Sequence, residues 1–99
     1  MYGLIGKLIA VDGKRDELIE ILLTGTANMP GCLSYVIAQD KAEANAIWIT
    51  EVWESYAHHQ ASLTLPSVTE AIARGRHLIS GMSDRYETIP VDRPKIPHA

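Results

Sequence analysis

AIWITEVWE, residues 46–54, is the stretch that decides the fold. Its β-branched and aromatic residues predict a strand, whose successive side chains point to opposite faces. Each face then holds a tryptophan beside aliphatic or threonine side chains. The first face comprises Ile47, Ile49, Glu51 and Trp53, and the second comprises Trp48, Thr50, Val52 and Glu54. A strand that is apolar on both faces needs a covering layer on each side.

Three elements are predicted before this strand. Residues 2–11 and 32–39 are rich in Leu, Ile, Val and Tyr and predict strands. Between them, apolar side chains in residues 14–27 recur at three- and four-residue spacing, which predicts an amphipathic helix. Asp16 and Glu17 would lie in its first turn, where the helix dipole favours acids.

After residue 54 the sequence predicts two helices and a fourth strand. Ser55 is a suitable N-cap for a short helix at 56–63. A second helix begins at Pro66 and continues to Gly81, because apolar residues keep a helical spacing as far as Ile79. Residues 82–89 then predict the last strand.

The predicted order is β-α-β-β-α-β, which is typical of an α+β, ferredoxin-like fold with a four-stranded antiparallel sheet. We expect residues 1–90 to form a single domain and residues 91–99 to form a proline-rich tail, extended and either loose or laid across a partner subunit. Helices cover one face of such a sheet. A second copy of the chain is the simplest cover for the other face, so the sequence predicts a homodimer.

Composition excludes several classes of function. The net charge of −3 and the scattered basic residues argue against a nucleic-acid partner and against a membrane-surface patch. No apolar run reaches the roughly 18 residues that a membrane span requires, and no signal peptide is recognised. We therefore expect a cytoplasmic location. Cys32 is the only cysteine, and its apolar strand favours packing over nucleophilic chemistry.

The candidate site is the strand-to-helix corner EVWESYAHHQASL, residues 51–63. Glu51 and Trp53 share one face of the predicted strand, and His59 follows across the capped turn. On the helix, His59 shares its face with Ser62 and Leu63 rather than with His58. These residues would line a cleft with an acid, an indole and an imidazole, and a histidine near neutral pKa is the usual proton carrier.

Structural interpretations of the same residues stay open. A tryptophan on a strand is commonly a core residue, and two histidines on a short polar helix are commonly solvated. Glu51 could pair with a cation across the sheet. A metal site at His58 and His59 is weakly supported, because adjacent helix positions point about 100° apart and no further ligand stands at a fixed spacing. The sequence holds no glycine-rich phosphate loop and none of the common local catalytic motifs.

Three segments resemble the antibiotic biosynthesis monooxygenase family: MPGCLSYVI, WITEVWES and HQASLTLPSVTEAIARGRHLISG. The resemblance covers about residues 1–90, and its most specific parts are the block from Glu51 to Pro66 and the PGCxxY anchor from Pro30 to Tyr35. It implies a dimeric α+β barrel made of two ferredoxin-like protomers. It also implies oxygenation of quinol- or anthrone-like aromatics by O₂ with no cofactor, neither flavin nor metal.

Carried over from the family, the catalytic candidates are His59, Trp53 and Glu51. The chain departs from the haem-degrading branch of this fold, which carries an asparagine on the first strand; here the only asparagines are Asn28 and Asn45, in predicted loops. Related barrels differ in activity, so a second function stays open. It is a non-catalytic small-ligand-binding or stress-response dimer that uses the same cavity.

Overall fold

The computed structural model of the protein describes residues 1–95. It confirms the ferredoxin-like fold, with one antiparallel sheet in the strand order β2-β3-β1-β4. The elements are β1 (Tyr2–Ala10), α1 (Arg15–Gly25), β2 (Cys32–Gln39), β3 (Ala46–Trp53), α2 (Tyr56–Ser62), α3 (Pro66–Gly75) and β4 (Ile79–Thr88). The predicted break in the second helical region at Leu65-Pro66 is present, since α2 and α3 are separate helices.

The alternation predicted for the third strand is confirmed on its helix-covered face. Ile47, Ile49, Glu51 and Trp53 are buried. Apolar side chains of α1 and α3, among them Leu18, Ile21 and Ala71, complete the main core against this face. The two helices approach closely at Gly25, where a Cβ atom would overlap Ala71. This packing fixes the helix layer and, with it, the end of β3 that carries the candidate site.

The opposite face of the sheet carries apolar side chains, and no helix within residues 1–95 covers them. Val36, Thr50, Ile5 and Tyr86 form one row across the four strands. Val36 is 52% exposed and Tyr86 is 55% exposed. Trp48 lies beside this row, and its indole N–H donates to Asp40 at 2.8 Å. We call this surface the open face.

Helix α3 is shorter than the sequence predicts. The prediction that it continues to Gly81, with the last strand at 82–89, is wrong: α3 ends at Gly75, a short 3₁₀ turn follows, and β4 begins at Ile79. The backbone N–H and C=O groups at the end of β1 need hydrogen-bond partners, and this segment supplies them. Ala10 pairs with Ile79, and the Val11 N–H donates to the carbonyl oxygen of Leu78 at 2.7 Å. Within residues 1–95, no helix combines the length and the apolar character needed to cross a bilayer.

The predicted tail is described as far as Lys95 and forms neither helix nor strand. Arg93 donates two hydrogen bonds to the carboxylate of Glu54, at 3.0 and 2.9 Å. The guanidinium group of Arg93 lowers the pKa of Glu54. This ion pair holds the start of the tail beside the end of β3, whereas residues 96–99 lie outside the described part of the chain.

Candidate functional site

The corner between β3 and α2 positions the candidate residues. The Ser55 hydroxyl accepts a hydrogen bond from the backbone N–H of His58 at 3.2 Å, so the predicted N-cap is confirmed. The helix then returns over the end of β3. As a result His59 and Ser62 are buried while His58 is exposed, as predicted. Leu63, predicted on the same face, is 44% exposed.

Glu51, Trp53 and His59 lie together at this corner. The Trp53 indole N–H donates to Oε1 of Glu51 at 2.9 Å. The same oxygen lies 3.9 Å from Nε2 of His59, and the rings of Trp53 and His59 meet edge to face with centroids 5.6 Å apart. A separation of 3.9 Å is too long for a direct hydrogen bond. A ligand hydroxyl beside the two groups would donate its one proton to Nε2 of His59.

Burial drives both ionisable groups of the corner toward their neutral forms. It raises the pKa of Glu51, although the Trp53 N–H and the charge of Arg85 act in the opposite direction. It lowers the pKa of His59, and the charge of Arg85 lowers that pKa further. His59 is therefore neutral at physiological pH, which is the form that accepts a proton.

Two tyrosines complete the surroundings of His59 and Glu51, and neither was predicted as a site residue. The ring of Tyr2 lies 5.2 Å from that of His59, and its hydroxyl donates to Glu87 at 2.8 Å. Tyr35 pairs with Glu51 across β2 and β3. The PGCxxY anchor was the one sequence signal for Tyr35. Tyr2 had none, because only the fold brings the start of β1 beneath α2.

A cavity of about 140 Å³ lies between the sheet and the helices at this point. Glu51, His59 and Trp53 form part of its wall. Most of the remaining wall is apolar and comes from Leu22, Met29, Leu63, Val68, Ala71 and Ile72. We call this space the inner cavity. An apolar space with a few convergent polar groups is the usual form of a small-molecule site.

The family model for antibiotic biosynthesis monooxygenase matches residues 1–74. The chain belongs to this family. The resemblance inferred from the sequence is thereby confirmed, and the corner with Glu51, Trp53 and His59 lies inside the matched segment.

Solved structures of similar chains agree with this assignment. One from Chloroflexus aurantiacus J-10-fl, provisionally assigned as an antibiotic biosynthesis monooxygenase, is 57% identical, with a TM-score of 0.93; the alignment covers 97% of this chain and 98% of the other. A second, from Deinococcus radiodurans with the same provisional assignment, is 25% identical with a TM-score of 0.77, covering 99% and 100%. No curated protein is significantly similar to this chain in its sequence.

His58, whose role the sequence left open, supports the corner of this monooxygenase-family fold. Its ring packs on Gly31, which adopts a φ of 80° and where a Cβ atom would overlap the imidazole. Its Nδ1 lies 2.7 Å from the Ser55 hydroxyl. In the described ranges, no three His, Cys, Asp or Glu side chains are grouped as metal ligands. We therefore interpret His58 as a residue that stabilises the corner by its contacts with Gly31 and Ser55.

Replacing Glu51 with glutamine should change stability in a pH-dependent way. The pKa of Glu51 is raised above its ordinary 4.5, so its contribution to stability is fully present below pH 4.5 and is lost as the pH rises through the folded-state pKa. Glutamine still accepts from the Trp53 N–H but cannot ionise. We compare the free energy of unfolding of Glu51→Gln with that of wild type at each pH. The difference, variant minus wild type, should be larger at pH 8 than at pH 4, by about 1.4 kcal/mol for each unit by which the pKa is raised.

Urea unfolding at the two pH values measures this difference. Glu54→Gln is the matched control, because Arg93 lowers the pKa of Glu54 and its removal should cost stability at pH 8 rather than add it. An equal effect of Glu51→Gln at pH 4 and pH 8 would contradict the raised pKa of Glu51.

Proposed function

We propose that this protein is a monooxygenase that oxygenates a hydroquinone-type aromatic with O₂ and uses no organic cofactor or metal. The observation that carries the proposal is the position of His59. Its Nε2 lies 3.9 Å from Glu51, and its ring forms part of the wall of a mostly apolar cavity. Membership of the monooxygenase family supports the reaction class.

The first step is removal of a phenolic proton. A hydroquinone hydroxyl beside His59 donates its proton to the neutral Nε2, and the nearby Glu51 carboxylate stabilises the resulting imidazolium through its charge. The Trp53 N–H holds the carboxylate oxygen in place at 2.9 Å. Deprotonation makes the ring electron-rich enough to transfer an electron to O₂.

The second step forms the new bond. The substrate radical and the reduced oxygen combine at a ring carbon, which gives a peroxide. The O–O bond and the C–H bond of the same ring carbon then break. The oxygen bonded to that carbon stays on the ring as a carbonyl, and the outer oxygen leaves with the ring hydrogen as hydroxide, which the proton returned by His59 converts to water. Overall, one hydroquinone and one O₂ give one hydroxyquinone and one water, so the substrate supplies all the electrons. The apolar walls exclude bulk water from the anion and the peroxide.

Oxygen uptake tests this function. Purified protein in chelator-treated buffer is mixed with a panel of hydroquinones, and we expect enzyme-dependent consumption of one O₂ per hydroquinone. With ¹⁸O₂, one labelled atom should enter the organic product. Saturable binding of the panel without oxygen uptake would contradict the oxygenase and favour the non-catalytic ligand-binding dimer.

We also propose a homodimer joined through the open face, which would close the α+β barrel. The apolar row containing Val36 and Ile5 is the motivation, since a surface of this kind is covered in most soluble proteins. Thr50 lies in the middle of that row and is exposed, so replacing it with glutamate should leave the fold of the single chain intact. Burying an unpaired carboxylate in the interface should raise the dissociation constant by about a hundredfold or more.

Light scattering at micromolar concentration measures the oligomer. We expect twice the chain mass of 10.9 kDa for wild type and for the control Thr69→Glu, which places the same charge on the exposed side of α3. Thr50→Glu should shift the mass to that of one chain. A wild-type mass of one chain would contradict the dimer.

A further inference from the structure

The inner cavity is small for anthrone-like substrates, which are one of the two classes that the family resemblance implies. Its volume is about 140 Å³. An apolar protein cavity of about 150 Å³ is known to accommodate benzene, whereas whole drug-sized ligands occupy roughly 300–1,000 Å³. The inner cavity therefore holds one aromatic ring, and a rigid system of three fused rings exceeds it.

A second space adjoins the inner cavity. It is an open groove of about 350 Å³ between the end of α1 and the start of β2, and we call it the outer groove. Three residues, Thr26, Met29 and Tyr35, line both the inner cavity and the outer groove. These three side chains therefore stand at the boundary between the two spaces.

The outer groove has no charged side chain in its wall. Leu23, Ala27, Leu33 and Ile37 contribute apolar surface, and the hydroxyl groups come from threonine, serine and tyrosine. Burial raises the pKa of the Cys32 thiol, so this residue adds no charge. A groove of this composition suits an uncharged chain rather than a carboxylate or a phosphate.

A groove on the outer side of α3 is the competing exit. It has a volume of about 340 Å³ and shares only Ile72 with the inner cavity. Its wall includes Arg76 and three further residues. The outer groove shares three residues with the inner cavity and the α3 groove shares one, so the outer groove borders the inner cavity more extensively and is the favoured continuation of the site.

We propose that the site takes a single-ring hydroquinone whose uncharged, flexible substituent passes between Thr26, Met29 and Tyr35 into the outer groove. The proposal rests on the proposed function for the hydroquinone headgroup. The size of the ligand is inferred from the volumes of the inner cavity and the outer groove, and its route is inferred from the residues that line both. Thr26, Met29 and Tyr35 are thereby specificity-determining residues.

Binding of phenols that do not turn over tests size and route separately from chemistry. Calorimetry with phenol, 4-pentylphenol and 9-phenanthrol compares one ring, one ring with a chain, and three fused rings. We expect 4-pentylphenol to bind at least tenfold more tightly than phenol. It should also bind at least tenfold more tightly than 9-phenanthrol, although both ligands offer much apolar surface. Equal or tighter binding of 9-phenanthrol, or no saturable binding of any of the three, would overturn the proposal.

Two matched variants test the route. Ala27→Phe places a ring in the outer groove, and Ala73→Phe places the same ring in the α3 groove; both alanines are exposed, so neither change disturbs the core. Ala27→Phe should weaken the binding of 4-pentylphenol at least tenfold and leave the affinity for phenol within twofold of wild type. Ala73→Phe should leave both affinities unchanged. The reverse pattern, or no effect of either variant, would overturn the route. If binding follows the expected ranking but no hydroquinone consumes O₂, the proposed function fails and the size inference survives.

Discussion

Replacing His59 with alanine should lower kcat for hydroquinone-dependent oxygen uptake by at least about a hundredfold at pH 7. Loss of a general base typically costs this much. The nearest other base is Glu51, which is engaged by the Trp53 N–H at 2.9 Å. Because His59 is neutral in the folded protein, wild type already holds the proton acceptor in its active form.

His58→Ala is the matched control, since it removes an imidazole one position away that is exposed and packs on Gly31. Its kcat should stay within a few-fold of wild type. Circular dichroism and light scattering establish that both variants fold and assemble as wild type does. A His59→Ala rate within a few-fold of wild type would identify His59 as a packing residue.

Replacing Trp53 with alanine should lower the free energy of unfolding by roughly 3–5 kcal/mol, the usual cost of truncating a buried aromatic residue. Trp53 is completely buried, and its ring packs with Tyr2 and Leu4 at the end of the sheet opposite the β2–β3 hairpin. The change also removes the donor to Glu51, and a buried acceptor left without a partner costs about 1–3 kcal/mol, which puts the expected loss toward the upper end of the range of roughly 3–5 kcal/mol.

Urea unfolding at one fixed chain concentration measures this loss, because the stability of a dimer depends on concentration. Trp53→Phe is the companion variant: it keeps most of the ring volume but removes the N–H, so its cost should reflect mainly the lost hydrogen bond. A change below about 1 kcal/mol for Trp53→Ala would contradict the core position of this side chain.

The alternation in residues 46–54 divided the side chains of β3 correctly between two faces, because successive side chains of a strand point to opposite sides of the sheet. It did not assign which of the two faces the helices cover. The corner was equally predictable. Ser55 caps α2, and the helical period then sends His59 inward and His58 outward. Local periodicity and capping carry these results, and they suffice to bring Glu51, Trp53 and His59 together.

Contacts between segments that are distant in the sequence could not be predicted from local periodicity. The spacing of Leu78 and Ile79 continues the pattern of α3, yet Ile79 pairs with Ala10 at the far end of β1. Tyr2 beside His59 and the charge of Arg85 near both ionisable groups depend on the same long-range strand pairing. The volume of the inner cavity likewise depends on how α1, α2 and α3 pack together.

The most direct test of proton transfer to His59 is the pH dependence of kcat/KM for oxygen uptake, measured for wild type and His59→Ala with the same hydroquinone. Wild type should rise through an apparent pKa below the ordinary 6.5 of histidine and level off by neutral pH, because burial and Arg85 lower the pKa of His59. This rise should be absent from His59→Ala, whose residual rate should increase only toward the phenol's own pKa near 10. The same rise in both proteins, or a wild-type rate that increases only near pH 10, would contradict His59 as the base.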